Sequence, residues 1–178
     1  MLYDNPEVLE YLQQSNGKLI HVYGDPDSGR TSVLFSWVDY LTRQGQAVCY
    51  VVPRMELFWK DLFHQYVDKP ERCYIAKAST EKEIRSILDV DFDWYCFDNF
   101  LDLILHKPKP KIRSLFSLLS GHVYQTRQNA ILVNGLRYYE AKGGYHPAYL
   151  EYFRHYCMKH AVVEKDSDFH IRYRFTEA

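Results

Sequence analysis

Residues 24–31 read GDPDSGRT and are the most informative stretch of the chain. Their spacing is that of a phosphate-binding loop, G-x-x-x-x-G-K-[ST], with Arg30 at the lysine position. The stretch follows a β-prone run and opens an amphipathic helix, where successive backbone N–H groups and the helix dipole can hold a phosphate. The alternative is an ordinary turn of glycine, aspartate and proline before a helix. The flanking strand and helix favour the phosphate loop.

Short apolar runs alternate with helical patterns along the rest of the chain. The runs cover residues 18–23, 47–52, 73–76, 94–97 and 130–133. They predict an α/β domain with a mostly parallel central sheet and helices on both faces. A C-terminal hairpin of residues 161–163 and 170–175 is expected to add antiparallel edge strands. We divide the chain into an N-terminal arm or short helix, residues 1–17, and a core domain, residues 18–178.

The composition excludes a strongly basic protein. The 178 residues include 22 Lys and Arg against 23 Asp and Glu, so no overall field attracts nucleic acid or membrane. Aromatic residues make up 16 %, and such rings anchor interfaces or stack on bases. The four cysteines form no C-x-x-C pair, which argues against a structural metal and indicates reduced thiols. We expect an intracellular protein, nuclear in a eukaryote and otherwise cytoplasmic, with no membrane association.

The fourth apolar run, residues 94–97, is followed directly by Asp98. A phosphate loop needs such a carboxylate, because it holds the shell of the magnesium ion that accompanies the phosphates. We therefore predict that Thr31 and Asp98 share a Mg²⁺ site that fills only when nucleotide binds. The predicted nucleotide-binding residues are Gly24, Asp27, Ser28, Gly29, Arg30, Thr31 and Asp98.

Three motifs resemble those of the RecA-type recombinase core: the phosphate loop, Asp98-Asn99 and Asn134-Gly135. The resemblance covers residues 18–175. It implies a single RecA-like P-loop NTPase domain with ATP and Mg²⁺ as cofactors. It also implies a hetero-complex with another RecA-like protein, and contact with single-stranded DNA that is weak for the isolated chain.

The chain departs from that family at three catalytic positions. Arg30 replaces the lysine, and its planar fork does not reproduce an ammonium point charge. Pro53 or Arg54 stands where the family has the glutamate that orients the attacking water, and arginine cannot act as a base. Gly135 lacks the amide that senses the γ-phosphate. Glu56 remains as the candidate catalytic residue, two positions late, so we expect weak or no ATP hydrolysis.

The family's two DNA-facing loops correspond to residues 106–113 and 136–144. Alternating prolines are expected to keep the first loop extended, with its cations along a phosphate backbone. A solvated linker is the alternative for the first loop, and a protein interface for the tyrosines of the second. The predicted DNA-binding residues are Lys107, Lys109, Lys111, Arg113, Arg137, Tyr138 and Lys142.

Three functions fit this sequence. The first is a RecA-paralogue-like accessory protein in DNA recombination and repair, which binds a partner and single-stranded DNA through a degenerate nucleotide site. The second is an active, small, DNA-dependent ATPase in which Arg30 and Glu56 perform the missing roles. The third is a purely structural interaction subunit whose loop binds nothing.

Overall fold

The computed structural model describes residues 5–14 and 16–176, and only the main chain of Tyr138. An eight-stranded sheet forms its centre, in the order β3-β2-β4-β5-β1-β7-β8, with β6 paired to β5. The strands are β1 (Leu19–Gly24), β2 (Val48–Val52), β3 (Cys73–Lys77), β4 (Trp94–Phe97), β5 (Asn129–Tyr139), β6 (Gly144–Pro147), β7 (Lys159–Lys165) and β8 (Ile171–Thr176). The ladders from β3 to β7 are parallel, whereas β5–β6 and β7–β8 are antiparallel. The predicted mostly parallel sheet with an antiparallel C-terminal hairpin is confirmed.

Two layers of helices cover the sheet. The helices are α1 (Pro6–Gln13), α2 (Arg30–Arg43), α3 (Lys60–Tyr66), α4 (Glu81–Leu88), α5 (Phe100–Ile104), α6 (Lys109–Thr126) and α7 (Leu150–Tyr156). Buried residues of α1–α3 form one apolar core with the sheet, and those of α4–α7 form a second core on the other face. The strands β1, β2 and β4 are buried on both faces because each core takes alternate side chains.

After β2 the chain forms a single 3-10 turn at Met55–Leu57, and α3 begins at Lys60. Two predicted segments differ from the structure. The extended loop expected over residues 106–113 is wrong beyond Pro108, because α6 begins at Lys109. Pro110 fits there, since N–H groups in the first helical turn have no intrahelical partner. The loop expected over residues 136–144 is in part a hairpin, in which β5 continues to Tyr139 and pairs with β6.

The topology opens a crevice at the carboxyl edge of the sheet. The chain leaves β1 through α2 on one face and leaves β5 through α7 on the other, although β1 and β5 are neighbours. Loops that diverge in this way create the ligand crevice of open α/β sheets. Residues 24–31 begin at this point.

Among the described residues, no helix combines the length and the apolar character needed to cross a membrane.

Candidate nucleotide site

Two glycines shape the loop that follows β1. A Cβ on Gly24 would lie 2.3 Å from the carbonyl oxygen of Val163 and 2.6 Å from the hydroxyl of Ser28. Gly29 has a φ of +92°, and a Cβ there would lie 2.4 Å from Cδ1 of Ile171. Only glycine therefore fits either position without rearrangement. The hydroxyl of Ser28 is buried and has no hydrogen-bond partner among the described residues.

The structure brings Thr31 and Asp98 together, as predicted for a shared metal site. The Thr31 hydroxyl donates to Oδ2 of Asp98 at 3.1 Å, and the Tyr50 hydroxyl donates to the same oxygen at 2.6 Å. The main-chain N–H of Asn99 donates to Oδ1 at 2.9 Å. Burial raises the pKa of Asp98, while these three hydrogen bonds act in the opposite direction. Thr31 and Asp98 could thus provide oxygen ligands for Mg²⁺ beside a bound phosphate.

Arg30 borders the cavity over the loop, but its guanidinium is bound to the neighbouring strand. Its Nη1 donates to the main-chain carbonyl of Asn134 at 2.5 Å, near the carboxyl end of the ladder between β1 and β5. Burial lowers the pKa of Arg30, and the neighbouring Asp98, Asp25 and Asp27 partly oppose this effect. A Cβ on residue 135 would lie 3.1 Å from Nη1, so Gly135 leaves room for the guanidinium.

A cavity of about 370 Å³ opens over the loop and the first turn of α2. It is lined by Asp27, Gly29, Arg30, Thr31, Ser32, Trp59, Leu62, Lys165 and Ile171. Its volume lies within the usual range for small-molecule sites. Trp59, Lys165 and Ile171 were missed from the sequence, because they come from segments distant from the loop. Trp59 is 65 % exposed, an unusual state for a tryptophan.

The groups expected for hydrolysis are not assembled at this cavity. Arg54 is exposed and pairs with Asp102 at 3.5 Å. Glu56 is exposed on the 3-10 turn after β2 and lines a neighbouring cavity, not the one at the phosphate loop. Neither Arg54 nor Glu56 therefore places a carboxylate at this cavity to orient water.

The first predicted DNA-binding group clusters at the start of α6. Lys109, Lys111 and Arg113 are exposed, and Lys107 is half-buried just before the helix. No acidic residue lies in the first turn of α6. A cavity of about 570 Å³ joins this helix to α7, and its lining includes Lys109, Arg113, Glu151, Tyr152, His155 and Tyr156. The contribution of His155 and Tyr156 was not predicted, because it depends on the packing of α7 against α6.

The second predicted group lies on the β5–β6 hairpin. Arg137 and Lys142 are exposed, and Nζ of Lys142 lies 5.4 Å from the ring centroid of Tyr139. The side chain of Tyr138 lies outside the described residues. Both predicted groups therefore occupy segments that leave the carboxyl edge of the sheet, α6 after β4 and the hairpin at the end of β5.

A cluster of possible metal ligands forms the turn between β7 and β8, next to the cavity-lining Lys165 and Ile171. Ligand atoms of Asp166, Asp168 and His170 lie within 4.8 Å of one another. Oδ1 of Asp166 already accepts the main-chain N–H groups of Asp168 and His170. Its Oδ2 pairs with Arg172 at 2.9 Å. The Asp166 side chain therefore closes a tight turn, and these contacts explain why the three residues lie close together.

No known family model matches this sequence, and no curated protein is significantly similar to it.

Proposed function

We propose that this chain is a RecA-paralogue-like accessory protein of DNA recombination and repair that binds nucleotide without effective hydrolysis. The observation that carries the proposal is the contact between Thr31 and Asp98 beneath the phosphate loop. It pairs a hydroxyl from the first turn of α2 with a carboxylate that follows β4, an arrangement in which nucleotide-binding α/β domains hold Mg²⁺. The buried, raised-pKa carboxylate also fits a functional role, because such a group costs stability unless something binds it.

The lack of hydrolysis in this proposal rests on Arg30 and on the end of β2. The Arg30 guanidinium is bound to a carbonyl, and Arg54 occupies the place of a base. Removing one well-placed group that stabilises the transition state costs about 10²–10³ in rate, so the combined losses leave little turnover. The exposed Trp59 supports binding, because an aromatic ring at the cavity can stack on a nucleotide base.

The DNA part of the proposal rests on the cations at the start of α6. Lys109 and Arg113 line one cavity together with the rings of Tyr152, His155 and Tyr156, and Glu151 is the one carboxylate in that lining. A phosphate backbone contacts such cations while bases stack on aromatic rings. Because the net charge is −1, the chain as a whole does not attract DNA electrostatically to this surface. A partner protein would supply the remaining contacts with the strand.

Tryptophan fluorescence tests the nucleotide site directly. Trp37 and Trp94 are at most 1 % exposed, so Trp59 is the tryptophan that ATP can contact directly, and loss of the response in Trp59→Phe assigns the signal to it. We expect MgATP to quench this signal saturably, Thr31→Ala to weaken the effect, and turnover to stay near background with or without single-stranded DNA. Rapid turnover that Thr31→Ala abolishes would favour the active ATPase instead.

One observation favours the structural-subunit alternative. Protein groups already contact both sides of the loop: the Arg30 guanidinium is bound to the Asn134 carbonyl, and the Ile171 side chain packs over Gly29. Such contacts fit a loop that holds no ligand. Absence of any fluorescence or calorimetric response to MgATP or pyrophosphate at millimolar concentration would select this alternative.

A further inference from the structure

The charged side chains of the phosphate loop itself, residues 24–31, do not favour the binding of an anion. Asp25 and Asp27 are exposed carboxylates within it, and the guanidinium of Arg30 points to the Asn134 carbonyl. Two carboxylates within a few ångströms would repel a polyphosphate, because like charges close to a low-dielectric wall interact strongly. A phosphate at this loop therefore needs a cation from another segment.

We propose that Lys165 supplies that cation, so that a residue from the C-terminal hairpin replaces the missing lysine of the loop. This assignment rests on the proposed function of nucleotide binding and names the residue that holds the phosphates. The ligand class is a nucleoside di- or triphosphate, with Trp59 against the base and Lys165 against the outer phosphates.

The position of Lys165 follows from the register of the sheet. Gly24, the last residue of β1, pairs with Val163 of β7. Lys165 lies two residues further, so it is on the same face as Val163, which is the face of α2. It also extends past the carboxyl edge, where the loop begins. Accordingly, Lys165 lines the cavity together with Gly29, Arg30 and Thr31.

The β8 strand fixes the hairpin against the loop. Lys165 pairs across the ladder with Ile171, and Ile171 is the residue that packs over Gly29. Movement of Lys165 relative to the loop would therefore require the contact between Ile171 and Gly29 to change. The lysine backbone is held in place, while its four-carbon stem can adjust to the phosphates.

The two arginines of the hairpin are already paired with carboxylates, but Lys165 forms no such pair among the described residues. Arg174 pairs with Glu164 at 3.5 Å, and Arg172 pairs with Asp166 at 2.9 Å. Within residues 5–14 and 16–176, no carboxylate forms an ion pair with Lys165, whose Nζ lies 5.9 Å from the ring centroid of Phe169. Its ammonium is exposed and remains available to an anion.

Matched lysine variants test the assignment. Lys165→Gln removes the charge at the loop, and Lys159→Gln removes a charge at the opposite end of the same strand. ATP affinity is measured by Trp59 fluorescence and by calorimetry, after thermal melts confirm that both variants fold. We expect Lys165→Gln to weaken ATP binding roughly 10- to 100-fold, the usual cost of losing a charged hydrogen bond, and Lys159→Gln to leave it within about twofold.

The salt dependence of ATP binding provides a second readout. Affinity should fall with added salt in the wild-type chain, and this dependence should be shallower in Lys165→Gln. Unchanged ATP affinity and salt dependence in Lys165→Gln would overturn the assignment and leave the proposed function intact. Absence of ATP binding by the wild-type chain would overturn both.

Discussion

Ile171 packs directly over Gly29, with its Cδ1 2.4 Å from the position that a Cβ on Gly29 would occupy. A residue of the last strand thus contacts the loop that follows the first strand. The loop is held by this contact on one side and by β1 and β7 on the other, where Gly24 pairs with Val163. The hairpin of β7 and β8 therefore forms one wall of the cavity over the loop.

The contact makes Gly29→Ala more damaging than an ordinary glycine substitution. We expect about 1–3 kcal/mol for an alanine in left-handed backbone and a further 1–3 kcal/mol, roughly, for the overlap with Ile171. Gly45→Ala is the matched control, because Gly45 has a φ of +85° and no atom within 4 Å of its Cβ position. Urea denaturation should show a larger loss of unfolding free energy for Gly29→Ala than for Gly45→Ala. Adding Gly29→Ala to an Ile171→Ala chain should cost less than adding it to the wild-type chain, because the shorter side chain leaves room for the new Cβ. Equal losses for the two glycines would contradict the overlap.

Asp98→Asn should separate stability from function. Burial raises the pKa of Asp98, so its contribution to stability is present below about pH 3.8 and is lost as pH rises through the folded pKa. At neutral pH the ionised carboxylate therefore costs stability. The asparagine oxygen can still accept hydrogen bonds from Thr31 and Tyr50, but its amide group replaces the oxygen that accepts the Asn99 N–H. The lost hydrogen bond offsets the removal of the buried charge, so we expect the unfolding free energy at pH 7 to change by less than about 1 kcal/mol.

The same variant should lose the Mg²⁺ dependence of ATP binding, because an amide is a poorer magnesium ligand than a carboxylate. Asp102→Asn, which changes an exposed partner of Arg54, is the control and should leave that dependence unchanged. Retained Mg²⁺ dependence together with a large loss of stability would show that Asp98 has a structural role alone.

A buried pair of histidines predicts acid sensitivity. Nδ1 of His21 lies 3.0 Å from Nδ1 of His160, and His21 stacks on Phe153 with ring centroids 3.8 Å apart. Burial lowers the pKa of His21 well below 6.5, with His160 adding to the effect. Burial, followed by the charge of Arg154, lowers the pKa of His160.

The unfolded chain therefore takes up protons that the folded chain excludes, so stability is complete above about pH 6.5 and falls as pH decreases below it. The expected slope is about 1.4 kcal/mol per pH unit for each imidazole that stays neutral. Denaturation at pH values from about 7.5 down to about 5 measures it. His160→Gln should make the slope shallower, and His64→Gln on the exposed side of α3 should not. A flat profile in the wild-type chain would contradict this account.

The sequence predicts those parts of the site that come from short motifs at the ends of strands. The ends of parallel strands meet at one edge, so the approach of Thr31 to Asp98 follows from the motifs and the strand pattern alone. Trp59, Lys165 and Ile171 could not be predicted in the same way, because their places follow from the strand order and from the register of β7 against β1. The sequence predicts a later start for α6 because a proline such as Pro110 usually interrupts a helix. In the first turn, however, proline is compatible with the helix.

The cations at the start of α6 should affect stability and DNA binding in opposite directions. Positive side chains at a helix N-terminus oppose the helix dipole, so Lys109→Glu should stabilise the chain by about 0.3–1 kcal/mol at low salt. If Lys109 contacts phosphate, the same change should weaken binding of single-stranded DNA and lower its salt slope by roughly 0.7, the share of one phosphate contact. Lys69→Glu is the control, because it makes the same charge change before β3, at the opposite edge of the sheet.

Fluorescence anisotropy with a labelled oligonucleotide at several salt concentrations measures DNA binding by both variants, and urea denaturation measures their stability. Equal weakening by Lys109→Glu and Lys69→Glu would show that binding follows net charge and not the surface at α6. A more stable Lys109→Glu chain with weaker, less salt-dependent binding would locate the strand at the start of α6, because only a residue that contacts phosphate changes the number of counterions released.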